Sequence, residues 1–92
     1  MAVTQHTRNV MKYGCKSQPI ADEICDAIDA GSGTISTAAR DRLKQICNND
    51  AIGDALGDVV DAGTGITGQQ ESVLGVGLAN RTAAADIASE LA

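Results

Sequence analysis

An all-α fold of about six short helices, arranged as three tandem helical hairpins, is what this sequence predicts, and three observations predict it. The chain repeats itself: Cys15 to Gly33 reads CKSQPIADEICDAIDAGSG, and Cys47 to Gly65 reads CNNDAIGDALGDVVDAGTG. Equivalent residues fall at a constant offset of 32, from Cys15 to Cys47, Ile20 to Ile52, Asp22 to Asp54, Asp26 to Asp58, and further back from Arg8 to Arg40 and Met11 to Leu43. A fixed period of this length marks a supersecondary unit that buries its apolar face against copies of itself. The apolar residues also recur at helical spacing, and residues that start and stop helices separate the apolar segments. The chain reads as a single domain over residues 1–92, with repeats at about 11–42 and 43–73 and a weaker, partial copy at 74–92.

Taken in order, Val10 and Met11 give the first apolar stripe, for a helix near 4–15. Ile20, Ile24 and Ile28, flanked by Ala21, Cys25 and Ala27, lie at i, i+4 and i+8 and predict an amphipathic helix near 19–30. Pro19 suits its first turn, with Ser17 or Gln18 as cap, and Gly31 suits its left-handed stop. Ser36 then caps a helix near 36–47 carrying Ala38, Ala39, Leu43, Ile46 and Cys47. Asn48-Asn49-Asp50 closes that helix and opens the next, near 50–62, whose stripe is Ile52, Leu56, Val59 and Val60 and whose stop is Gly63. Thr67 with Gln70 forms a capping box for a helix near 68–79 with Val73, Leu74, Val76 and Leu78. After Asn80, a helix near 81–91 carries Ala83, Ala84, Ile87, Ala88 and Leu91. None of the six is long enough to be stable alone.

The composition predicts a thin core. Tyr13 is the sole aromatic residue, Phe and Trp are missing, and alanine is the commonest apolar residue. Aromatic side chains normally bring the largest buried areas. The expectation is modest stability for the monomer and a gain from assembly, with Ile20, Ile24, Ile28, Leu43, Ile52, Leu56, Val60 and Leu74 as candidate interface residues.

The net charge of −5 argues against nucleic-acid binding through a basic surface. Charges are sorted by segment: Arg8, Lys12, Lys16, Arg40, Arg42 and Lys44 in the first half of each repeat, and Asp22, Glu23, Asp26, Asp29, Asp50, Asp54, Asp58 and Asp61 in the second. Two readings follow: solvated faces, or basic helices set beside acidic ones, within or between subunits, to fix register. The polar start MAVTQHTRN does not resemble a signal peptide, and no apolar run approaches membrane-spanning length. The expectation is a chain made in the cytoplasm that does not bind membranes.

Several motifs look like chemistry. Asp29 to Ser36, DAGSGTIS, resembles the centre of a calcium loop, but Gly33 at loop position 6 puts Ile28 at 1, Ala30 at 3 and Ala39 at 12, which leaves no carboxylate cage. Gly63-Thr64-Gly65-Ile66-Thr67-Gly68 satisfies G-x-G-x-x-G, yet a helix rather than a strand precedes it. His6 is the single histidine and nothing brings it to a nucleophile. The row Asp50, Asp54, Asp58 and the pair Asp22, Asp26 could do acid–base work or bind a cation, or form the wet sides of helices. No catalytic residue, cofactor site or metal site is assigned. Cys15, Cys25 and Cys47 are either reduced core thiols or candidates for a disulfide or an interchain cross-link, since an odd count leaves one thiol over.

The arrangement of a short basic helix, a small-residue loop, I-A-D-E-I-x-x-A-I-D-A-G and S-x-x-A-x-x-R-L resembles small alanine-rich repeat proteins of tailed-bacteriophage particles. Gln18 to Leu43 carries most of the likeness, and Ala51 to Leu74 echoes it. The resemblance implies a non-enzymatic structural protein of a virion, of the capsid decoration, cement or head-fibre type. Its partners would be capsid or other virion proteins and further copies of itself as a homo-oligomer. The three cysteines depart from that pattern. The rival readings are a soluble helical adaptor that offers a groove to a partner protein and a small metal-binding protein.

Overall fold

The computed structural model describes residues 2–91 and contains six α-helices among them: α1 (Gln5–Cys15), α2 (Gln18–Ala30), α3 (Thr37–Cys47), α4 (Asp50–Ala62), α5 (Gly68–Leu78) and α6 (Arg81–Leu91). The caps are those the local chemistry requires. Thr4, Ser17, Ser36, Asn49 and Thr67 each accept a backbone N–H from the first turn of α1 to α5, with the reciprocal Gln70 bond completing a capping box at α5. Asn80 does the same for α6 by accepting the Ala83 N–H at 2.9 Å. At the other ends, Gly31 and Gly63 stop α2 and α4 in the left-handed conformation. The tight turns inside the three hairpins use Lys16, Asn48 and Ala79, all left-handed, with φ of 56°, 51° and 53°.

Helices pair as α1 with α2, α3 with α4 and α5 with α6. Close approach within the second pair depends on small residues: a Cβ at Gly53 would lie 2.5 Å from the Cα of Lys44. The hairpins then close on themselves. The first helices α1, α3 and α5 all touch one another, α2 touches both α4 and α6, and α6 packs on α1. The dimensions, 27 × 26 × 23 Å, are those of a closed ring of hairpins with an approximate threefold axis, whereas an open stack would be elongated. Ring closure has a polar seal. Asp86 in α6 accepts the Thr4 N–H at 2.9 Å and the buried Thr7 hydroxyl at 2.6 Å. The equivalent step from hairpin one to hairpin two is made by Glu23, which accepts both the N–H and the hydroxyl of Ser36.

The core sits on the axis in three layers, and each hairpin supplies one residue to each layer. These are Met11, Leu43 and Leu74; Ile24, Leu56 and Ile87; and Ile28, Val60 and Leu91. All nine are buried, around an apolar void of about 10 Å3 whose lining offers a water molecule no polar side chain. Aliphatic side chains thus fill a triangular interior that has no room for an aromatic ring. The layers show the third repeat in full, but at an offset of 31 from the second (Leu43 to Leu74, Leu56 to Ile87). The loop from Gly63 to Thr67 is one residue shorter than the loop from Gly31 to Ser36.

Two expectations need correction. Ile24, Ile28, Leu43, Leu56, Val60 and Leu74 are not an intermolecular surface; hairpin-to-hairpin closure uses them as the core of the monomer, and Ile20 and Ile52 pack half-buried against it. Cys15, Cys25 and Cys47 are free thiols buried within the fold, with no disulfide among the described residues. Cys15 and Cys25 are fully enclosed and Cys47 is only 8% exposed, so nothing supports the cross-linking role. Burial pushes the thiols up, to about 11 for Cys15 and Cys47 and about 12 for Cys25, which makes them poor nucleophiles.

Candidate functional site

The segregated charges meet inside the monomer. The Arg8 guanidinium on α1 reaches three carboxylates of α2, Asp26 and Asp29 at 2.8 Å and Asp22 at 3.5 Å. Its repeat equivalent Arg40 on α3 reaches Asp58 at 2.8 Å and Asp61 at 2.7 Å on α4. Asp29 and Asp61 also accept the backbone N–H groups of Val3 and Ile35, both at 2.8 Å, and so pin the strands of chain that lead into α1 and α3. Burial opposes ionisation of Asp61, but the Ile35 N–H and the Arg40 guanidinium outweigh it and hold the carboxyl below its usual range. The Asp26 and Asp29 hydrogen bonds raise Arg8 above its already high ordinary value. Arg8 and Arg40 with their aspartates are structural clamps that tie α1 to α2 and α3 to α4.

The other motifs resolve in the same way. Asp29 in DAGSGTIS accepts hydrogen bonds from the Val3 N–H and the Arg8 guanidinium. The G-x-G-x-x-G segment is a helix stop at Gly63, a cap at Thr67 and the first residue of α5 at Gly68. His6 lies exposed in the first turn of α1, within 3.2 Å of the Asn80 side-chain amide. Among the described residues, no three His, Cys, Asp or Glu side chains converge as a metal site would require, and no helix is long and apolar enough to cross a membrane.

What remains is a surface where the first helices converge at their C-terminal ends. Gly14, Ile46 and Gly77 are equivalents there, and the two glycines make room for the isoleucine: a Cβ on Gly14 would lie 3.4 Å from Ile46 Cδ1, and one on Gly77 only 2.0 Å from the Ile46 carbonyl oxygen. One residue before each glycine stand Tyr13 and Val76, the large apolar side chains exposed among the described residues, at 85% and 73%. Between α3 and α5 this face sinks into a shallow hollow of about 350 Å3, lined by Ile46, Cys47, Ser72, Val73, Val76 and Gly77. A polar dish of about 490 Å3, with Asp41, Lys44, Gln45 and Asp50 on its walls, adjoins it and shares Asn48. On the far side, Tyr13 lines a third depression with Asn9, Lys12 and Gln18.

Sequence reasoning missed this face because Tyr13 and Val76 fall on the outward side of otherwise ordinary helices. One signal was present. α5 carries Val73, Leu74, Val76 and Leu78 around its circumference and places only Leu74 fully in the core. A helix apolar on more than one side has more surface to cover than its own fold provides. No protein family, no curated protein and no solved structure matches this chain.

Proposed function

We propose that the protein is a non-enzymatic assembly component of a phage particle, most concretely a capsid decoration or cement protein that binds the capsid lattice or its own copies. The observation that carries this reading is the end face at Tyr13, Ile46 and Val76. It is an apolar surface on a monomer whose core is otherwise closed and whose Arg8 and Arg40 clusters clamp helices together. Such a surface offers contact, not chemistry. Of the aspartates that could serve as general bases, Asp22, Asp26 and Asp58 are held by arginines and Asp54 by Lys44, and the thiols that could serve as nucleophiles are buried. The likeness of Gln18–Leu43 to the small alanine-rich proteins of tailed-phage particles supplies the setting. Repeated weak contacts by many copies would add strength through multivalency.

The test is co-sedimentation of the purified protein with assembled heads of its own phage, beside the Val76→Asp variant. Saturable binding at a fixed copy number per head, lost in the variant, supports the reading. A protein that stays in the supernatant at saturating concentration refutes it, and a stable complex with a cytoplasmic protein instead establishes the adaptor reading.

A further inference from the structure

The end face is made of two unlike halves that lie side by side across Ile46. One half is a knob: Tyr13 stands out from α1, with Lys12 beside it and the exposed Lys16 one turn on. The other is the α3–α5 hollow, apolar at its floor and bordered at Asn48 by the dish that holds Asp41 and Asp50. The intramolecular ion pairs use Arg8, Arg40 and Lys44 as their cations, so Lys12 and Lys16 have no carboxylate partner among the described residues. Among the described residues Asp50 has no cation and Asp41 has only Lys44 at 3.9 Å; Lys44, which also lines the dish, reaches Asp54 at 3.4 Å, so the two dish aspartates outnumber its one lysine.

We propose that this face joins two copies of the chain about a twofold axis near Ile46, with Tyr13 of each copy seated in the α3–α5 hollow of the other. The charge pattern selects this occupant. A twofold operation lays the basic knob of one copy on the acid-bordered hollow of its mate, twice, and so pairs Lys12 and Lys16 with the side of Asp41 and Asp50. The hollow of about 350 Å3 is open to solvent and wide enough to admit an aromatic ring. The same face turned toward an anionic surface would leave the acidic dish opposed to like charge. The apolar area is small, which places the dimer among weak, reversible associations, with a dissociation constant in the micromolar to millimolar range (about 10⁻⁶–10⁻³ M). This inference deepens the assembly reading and rests on its claim that the end face is a contact surface.

The experiment is sedimentation equilibrium of the full chain under reductant, in parallel with acrylamide quenching of tyrosine emission. Tyr13 is the single aromatic residue, so its emission reports the knob alone. The expected result is a reversible monomer–dimer equilibrium in which Tyr13 becomes shielded from quencher at the concentrations where mass doubles. Tyr13→Ala and Val76→Asp, both at exposed positions and so compatible with folding, should weaken association by about tenfold or more. Lys12→Glu and Asp41→Lys should each weaken it, and their combination should restore it. A chain that stays monomeric at millimolar concentration overturns the proposal. So does a dimer whose Tyr13 remains fully quenchable, and so does an open-ended oligomer. A dimer that ignores phage heads refutes the virion reading alone, whereas a monomer that binds heads refutes the dimer alone.

Discussion

Replacing Ala79 by glycine should stabilise this protein, although glycine within a helix does the reverse. Ala79 closes α5 in the left-handed conformation at φ 53°, where its repeat equivalents are Lys16 and Asn48. That conformation costs a residue with a β-carbon about 1–2 kcal/mol. Glycine escapes the cost but surrenders about 0.5–1 kcal/mol of extra chain entropy on folding. Ala79 is exposed, so no packing is lost, and its N–H keeps the bond to the Val76 carbonyl at 3.1 Å. The balance favours Ala79→Gly by about 0.5–1 kcal/mol, a rise in Tm of about 3–6 °C for a domain of this size. Ala85→Gly is the matched control: the same atoms are removed from an exposed position inside α6, at a cost of about 1 kcal/mol. Thermal and urea unfolding followed by far-ultraviolet circular dichroism reads both variants. Equal losses in the two would refute the claim that backbone strain at the hairpin turn decides the sign.

The core layers make further expectations. Leu56→Ala and Leu74→Ala each open a cavity on the axis and should cost about 2–5 kcal/mol, a large share of the total stability, with urea midpoints as the readout. Asp86 is held below the usual carboxylate range: burial opposes its ionisation, but the Thr7 hydroxyl and the N–H and hydroxyl of Thr4 outweigh it. With the folded value depressed, the unfolded chain binds more protons at acid pH, so this stability is present above about pH 4 and is lost as the pH falls through the folded value. Asp86→Asn should flatten that acid limb in a plot of urea midpoint against pH; an unchanged limb would show that the ring seal does not carry it. The enclosed Cys15 and Cys25 thiols should react with a disulfide reagent at mildly alkaline pH only as fast as the fold opens, and rapidly in denaturant. Fast labelling of more than one sulfur in the native protein would mean that Cys15 or Cys25 reaches the surface.

Local chemistry made the helices legible. The apolar spacing around Ile24 and Leu56, the caps at Ser36, Asn49 and Thr67, and the stops at Gly31 and Gly63 act within one or two turns, so a linear reading places them within a residue or two of where the structure has them. The internal repeat was equally plain where spacing was conserved between copies, but the shorter Gly63–Thr67 loop blurred the third copy by moving it out of phase. Only the tertiary structure decided what the stripes were for. Ile24, Leu43, Leu56 and Leu74 look like surfaces awaiting a partner when each helix is considered alone, and three copies within one chain prove sufficient to cover them. Whether tandem hairpins stack openly or close into a ring depends on the rotation between neighbours, which small residues such as Gly53 and Gly77 and bonds such as Thr7 to Asp86 set across long stretches of sequence. By itself, the sequence determined the helices, their ends and their pairing, because those are settled by short-range backbone energetics. The closed ring, the arginine–aspartate clamps and the exposed face at Tyr13 and Val76 were decided in three dimensions, where burial is a property of the whole assembly of helices and not of any one of them.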